Sequence, residues 1–216
     1  MFTKLLDEEI KIKELLKKDN PVIVECGSNQ GRTTKGFLKC FPHIKLFCFE
    51  PDPRNIIKWK KNIQDSRCEL FEAAVVDFDG EILLNLSGGH RPGESSNFDD
   101  TDSSTIKGTE NHVKLFPWIN YDKSIKVKAI KLDTWRKEHK IGDIDFIWAD
   151  VEGAEENMLG GAQETLRHTH YIYTEFSNNE AYNGQINLQE IQRMLPRFVM
   201  VKCWTKDVLF RNKLWK

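Results

Sequence analysis

No apolar run in the chain approaches the ~20 residues that a bilayer-crossing helix needs. Leu5 and Leu6 run straight into Asp7, Glu8 and Glu9, so the apolar core of a secretory signal is missing too. C-x-x-C pairs are absent. The five cysteines (Cys26, Cys40, Cys48, Cys68, Cys203) are odd in number and widely spaced, which argues against a disulfide framework or a zinc site and for a reducing compartment. Surplus charge is missing as well: 32 Lys and Arg against 33 Asp and Glu leave −1, with no global pull toward nucleic acid or an anionic membrane. The basic stretches Lys11–Lys18 and Lys58–Lys61 fall on predicted helices among apolar residues and read as solvated faces. No internal repeat is evident. With 39% hydrophobic and 30% charged residues over 216 positions, residues 1–216 fit one cytoplasmic globular domain. A domain of that size buries ~70% of its unfolded surface.

Against these exclusions stands one dense signal. VIVECGSNQG at Val22–Gly31 reads as a strand buried on both faces, then a glycine turn, then a helix start. LFCFEP at Leu46–Pro51 is a second strand ending in a carboxylate, with Glu50 nineteen residues after Gly31 (50 − 31). An acid at that tip can accept both ribose hydroxyl hydrogens of an adenosine-containing cofactor. Gly27 and Gly31 allow a sharp turn and a close backbone approach. Three readings compete: a plain turn, a dinucleotide site and a S-adenosylmethionine site. A dinucleotide turn wants G-x-G-x-x-G, whereas Ser28 and Asn29 stand where the close second glycine should be. Polar groups there suit the amino-acid tail of S-adenosylmethionine. Glu25 would face its ammonium but would repel a pyrophosphate.

The rest of the chain alternates strands and helices, which predicts a doubly wound, mostly parallel sheet with helices on both sides. An N-terminal amphipathic helix fills 1–20, closed by Asn20-Pro21. Helices follow at about Thr33–Phe41, Pro53–Asn62, Leu132–His139, Ala154–His168 and Leu188–Leu195. Strands are expected at Cys68–Val76, Ile82–Leu86, Lys126–Ile130, Asp145–Asp150 and Tyr171–Phe176. Phe198–Trp204 and Val208–Arg211 should form an antiparallel terminal pair. Residues 87–123, rich in Gly, Ser, Asp and Thr, read as one long loop, a candidate lid over the acceptor site.

Ligands of open parallel sheets sit beyond the carboxyl ends of the strands, where Glu25, Glu50, Glu72–Ala74, Asp150 and Glu175 fall. Glu72 could reach an adenine amino group. In WADVEGAEENMLGGA, Trp148–Ala162, Asp150, Glu152 and Glu155 crowd the junction of strand and helix. Dipole capping suffices for Glu155 and Glu156 but not for Asp150, which ends an apolar strand. With Glu175, these acids could supply a general base or oxygen ligands for a divalent cation such as Mg²⁺. No metal ligand is assigned. His90 and His112 in the long loop are alternative bases.

These motifs resemble the FkbM family of S-adenosylmethionine-dependent methyltransferases. VECGSNQG is similar to its D-x-G-A-N-x-G turn, FCFEPDP to its A-F-E-P-x-P strand end and KLDTW to its V-x-x-L-D segment. ADVEGAEENMLGGA is similar to its D-x-E-G-x-E-x-x-x-L-x-G-A block. The resemblance spans Val22 to Phe176 and implies a seven-stranded, Rossmann-like class I fold. It implies cofactor contacts from Glu25, Gly27, Asn29, Gly31 and Glu50, with Asp150 near the sulfonium. Ser28, Pro51, Glu72 and Ala73, at the same turn and strand ends, complete the expected cofactor set. Asp150, Glu152 and Glu175 form the expected catalytic set. Glu25 replaces the family's usual Asp, and Ser28 its Ala. The resemblance implies O-methylation of a hydroxyl on a sugar, glycan or other small molecule. N-methylation of a small amine and a non-catalytic adenosyl-binding domain are the alternatives. A nucleic-acid acceptor is disfavoured, since A-D-V-E stands where N-P-P-Y often follows strand four.

Overall fold

The computed structural model describes residues 11–90, 92–93 and 101–215. Helix α1 occupies 11–16 and stops short of the expected end at residue 20, since 17–20 are not helical; residues 1–10 of the expected N-terminal helix lie outside the described residues. Strand β1 (Val22–Cys26) leads through α2 (Arg32–Cys40) to β2 (Lys45–Phe49), then through α3 (Pro53–Asn62) to β3 (Cys68–Phe71). Helix α3 starts where Asp52 accepts a hydrogen bond from Arg54 N at 2.9 Å and Pro53 takes the first turn, where no N–H is needed.

Strands β7 (Ile144–Ala149) and β8 (Thr169–Glu175), with β9 (Phe198–Cys203) and β10 (Asp207–Asn212), complete a seven-stranded sheet. Its order is β3-β2-β1-β7-β8-β10-β9. Strands β3, β2, β1, β7 and β8 are parallel; β10 runs antiparallel to both β8 and β9. The doubly wound expectation with an antiparallel terminal pair therefore stands. Strand periodicity divides the core. Val24, Cys26, Phe47, Phe49 and Ile147 pack on one face, and Ile23, Leu46, Cys48, Phe146 and Trp148 on the other.

Three features depart from the expectation. The strand expected at Cys68–Val76 breaks at Glu72-Ala73, and β4 (Ala74–Val75) joins a second, three-stranded sheet. Its partners are the long hairpin strands β5 (Gly80–Gly89) and β6 (Ile119–Ile130), ordered β4-β6-β5. Residues 87–123 are consequently not one loop, because strand pairing continues to Gly89 opposite Ile119 and α4 (Glu110–Leu115) lies between. Residues 91 and 94–100 of that segment lie outside the described residues. After α5 (Leu132–Glu138), the helix expected at 154–168 splits into α6 (Glu155–Gly160) and α7 (Gln163–Arg167). Asp133 N donates to the Gly161 carbonyl at 3.0 Å, and the Asp133 side chain caps the new start by accepting from Glu164 N and Thr165 N. The last helix, α8 (Leu188–Met194), begins with a reciprocal Asn187–Glu190 capping box.

Candidate active site

The turn after β1 is sewn to the tips of both neighbouring strands. Gly27 N and Ser28 N donate to the Phe49 carbonyl at 3.0 and 2.9 Å, and Asp150 N donates to the Cys26 carbonyl at 2.9 Å. Gly27 has φ +84°, and a Cβ there would sit 1.7 Å from the Asp150 carbonyl oxygen. Only glycine lets the β1 turn and the end of β7 approach so closely.

Glu50, 5% exposed, accepts from Asn29 N at 2.7 Å on Oε2 and from Asp52 N at 2.9 Å on Oε1. Burial pushes its pKa up to about 7, against the downward pull of those two N–H donors. The Asn55 amide also hydrogen-bonds this carboxylate, which leaves part of its acceptor capacity for a ligand. Beside it opens a cleft lined by Gly27, Asn29, Glu50, Pro51, Asn55 and Ala73. Val75, Val76 and Leu84 give it an apolar wall, and Asp150, Val151, Glu152 and Ala154 close the far end.

Thr101–Ile106 forms the roof, with Thr101, Asp102, Ser104, Thr105 and Ile106 lining the cleft. It is latched to the β2–α3 junction and to the β1 turn. Asn55 Nδ2 donates to the Thr101 carbonyl at 3.0 Å, and Thr101 Oγ1 returns a bond to Asn55 Oδ1 at 2.8 Å. Ser104 Oγ donates to Asp52 at 2.8 Å, and Asn29 Nδ2 donates to Asp102 at 3.0 Å. Sequence reasoning missed Asn55 and the individual roof residues. Asn55 lies in the first turn of the helix that follows Glu50, a position whose proximity to the site was a usable signal.

Five residues of the expected set do not line the cleft. Glu25 is fully buried and turned to the opposite face of the sheet, accepting from Thr34 Oγ1 at 2.6 Å and Cys48 Sγ at 3.3 Å. Burial lifts its pKa to about 8, so the expected carboxylate facing an ammonium is instead a largely protonated acid packed under α2. Ser28 is buried with an unpartnered hydroxyl. Gly31 lies under α3, where a Cβ would meet Ile63 Cγ1 at 2.7 Å, so it serves packing. Glu72 is exposed and ion-paired with Lys60. Glu175 ends β8 outside the cleft lining, although Asp150 is close enough to be the largest cause lifting its pKa to about 10.

The acids at the far end are an electrostatic anomaly. Asp150 Oδ1 is enclosed with no hydrogen-bond partner, and burial followed by Asp207 and Asp102 raises its pKa to about 6. Glu152 is driven well above the ordinary range by burial and then by Asp150. Glu155, buried behind them, is raised to about 7 by burial. Among the described residues no group of three or more His, Cys, Asp or Glu side chains is placed to hold a metal ion. Of the two histidine alternatives, His112 is buried outside the cleft lining with its pKa pushed down to about 4 by burial, and His90 also lies outside that lining.

The donor set fits an adenosyl cofactor. A free carboxylate lone-pair edge at Glu50, an apolar slot beyond it and an unpartnered acceptor at Asp150 match a sugar diol, a purine and an ammonium in turn. The Methyltransferase FkbM domain model matches residues 25–203. The chain belongs to the FkbM methyltransferase family. It is also 39% identical over 207 residues to the 2-O-methyltransferase NoeI of Sinorhizobium fredii, covering 94% of this chain and 84% of that protein. Among solved structures it is similar to a candidate O-methyltransferase from Klebsiella pneumoniae (TM-score 0.57, 14% identity, 97% and 80% of the two chains). The N-terminal domain of EvdMO1, crystallised with SAH and D-fucose, is also similar (TM-score 0.52, 9% identity, 97% and 83%). At those identities the two structures speak for the Rossmann-like methyltransferase fold alone. This FkbM chain is a methyltransferase, with S-adenosylmethionine the methyl donor its family implies. No helix among its described residues is long and apolar enough to cross a membrane.

Proposed function

We propose that the chain transfers methyl from S-adenosylmethionine to a hydroxyl at position 2 of a sugar unit, free or in a glycan. The position follows NoeI, a 2-O-methyltransferase with which most of the chain aligns at 39% identity. In this reading Glu50 holds the ribose diol, Asn29, Gly27 and Pro51 shape the edge of the cofactor's seat, and Ala73 borders the purine slot. When bound, the cofactor supplies an electrophilic methyl group and a neutral thioether leaving group.

The protein's own task is alignment, dryness and removal of a proton. Orientation of the two reactants can supply ~7–11 kcal/mol of barrier reduction. A sugar hydroxyl is a poor nucleophile, and a placed base typically adds ~100- to 10,000-fold. Asp150 and Glu152 line the far end of the cleft. Asp150 seats the cofactor's ammonium end and Glu152 takes the acceptor proton, while Glu175 keeps a proton within the acid cluster. Thr101–Ile106 serves as the described part of a lid within 87–123, in one methyltransferase unit working in the cytoplasm.

The observation that carries the reading is Asp150 Oδ1, an enclosed acceptor without a partner at the end of a cleft whose other end is the Glu50 carboxylate. Incubation with methyl-labelled S-adenosylmethionine and a panel of methyl glycosides, each beside its 2-deoxy counterpart, tests it. Label should enter the 2-hydroxy sugars alone. Equal labelling of the 2-deoxy sugars would refute the position, and no labelling by protein that binds S-adenosylhomocysteine would refute the sugar.

A further inference from the structure

The chain reverses sharply at Glu152, and an unrelated loop grips the reversal. Glu152 (φ +50°) and Gly153 (φ +87°) are both left-handed. Glutamate adopts that conformation at a cost, so something must hold it there. The holder is Tyr182, from the loop between β8 and α8 and only 3% exposed. Its hydroxyl donates to Glu152 Oε2 at 2.6 Å. Its ring fills the space beside Gly153, where a Cβ would fall 2.6 Å from Tyr182 Cδ2.

His112 of α4 stacks flat on the other side of that ring, 4.4 Å between centroids and 9° between planes. Tyr121 donates to the Ser103 carbonyl at 3.0 Å, which leaves its oxygen to accept from His112 Nδ1 at 2.9 Å. Burial lowers the His112 pKa to about 4, so the stacked ring stays neutral. Thr105 Oγ1 closes the circuit by donating to the Glu152 carbonyl at 2.6 Å. Three segments distant in sequence thus converge on one glutamate at the cleft.

We infer that Tyr182, backed by the stacked ring of His112, is a positioning residue that aims the Glu152 carboxylate at the acceptor hydroxyl and favours its anionic form. This rests on the reading of Glu152 as the base. As the new C–O bond forms and the S–CH₃ electron pair returns to sulfur, the acceptor proton goes to Glu152 Oε1; Tyr182 keeps its own proton, hydrogen-bonded to Oε2. The charges facing Glu152 are Asp150 and Glu155 on its own turn, Asp102 on the roof and Glu175 at the end of β8. All are acids, so the Tyr182 hydroxyl opposes every one of them.

The test is Tyr182→Phe, which removes one oxygen and keeps the ring. On whichever methyl glycoside proves the best acceptor, kcat should fall roughly 10- to 100-fold, as loss of a hydrogen bond to a charged group would give. KM for S-adenosylmethionine should hold, and the acid limb of the kcat–pH profile should move to higher pH. In a Glu152→Gln background the same change should cost nothing further in single-turnover rate. An unmoved limb, or losses that add in the double variant, would overturn the inference. A Glu152→Gln variant with wild-type turnover would instead overturn the choice of base. If Tyr182→Phe folds poorly, ¹³C-carboxyl NMR of the Glu152 resonance in wild type and His112→Ala decides: the titration midpoint should rise, and an unmoved midpoint refutes the positioning role.

Discussion

The two ends of the cleft are built in opposite ways. At the β2 end, Glu50 accepts two backbone N–H groups, and Asp52 is held by Arg54 and by Ser104. At the β7 end, Asp150 and Glu155 each leave an enclosed oxygen unpartnered, and neighbouring acids compound the burial cost. The acids and N–H donors of the first end come from one contiguous stretch, 22–55, with the roof latched onto it, whereas the second end gathers its groups from 101–121, 150–155 and 175–182. A binding end can be preformed and satisfied on its own. An end that must take up a proton is arranged at the expense of stability, because unpaired acids are what give a carboxylate a raised proton affinity.

The largest test of this contrast is Gly27→Ala, which touches both ends. The added methyl would collide with the Asp150 carbonyl at 1.7 Å, so the seam between β1 and β7 must open. Loss of more than ~4 kcal/mol, read as failure to fold or a collapse in denaturant midpoint, is expected. Asp150→Asn comes next. It removes the charge proposed to seat the cofactor's ammonium, so S-adenosylhomocysteine affinity should fall roughly 10- to 100-fold by calorimetry, and undiminished affinity would contradict that seat.

Glu25→Gln sharpens the boundary by testing an acid that belongs to neither end. The unfolded carboxyl releases its proton near pH 4.5, and the folded one holds it to about pH 8. Folding therefore takes up a proton between those values. The favourable contribution is complete below pH 4.5 and is lost as pH rises through 8. Wild type should lose thermal stability across that window, and the glutamine variant should lose less. Smallest is Ser104→Ala, which removes a roof latch worth about 1 kcal/mol. KM for S-adenosylmethionine should rise a few-fold with kcat nearly unchanged, as steady-state kinetics would show.

The same contrast governs what could be read from the sequence. The glycine turn, the Glu50 tip and the Asp52-Pro53 helix start are neighbours in the chain, so spacing alone placed them together. Glu25 was misplaced because a strand alternates faces. Phe47 and Phe49 define one side and Cys48 the other, and register puts Glu25 beside Cys48, away from the cleft. Tyr182 carried no local signal, since its partners Glu152 and His112 stand 30 and 70 residues away (182 − 152; 182 − 112). The second sheet was hidden for a related reason: the two-residue strand β4 is too short to show a period, and its partner β6 begins at Ile119, inside a stretch with loop-like composition.

Calorimetric titration of S-adenosylhomocysteine into wild type and Glu50→Gln tests the account most directly. Glu50 must be ionised to accept both ribose hydroxyls, so wild-type affinity should strengthen as pH rises through about 7 and then level off. The glutamine variant should bind roughly 10- to 100-fold more weakly, with a flatter pH dependence. Equal affinity in the two proteins, or no binding heat from folded wild type, would contradict an adenosyl cofactor seated on Glu50.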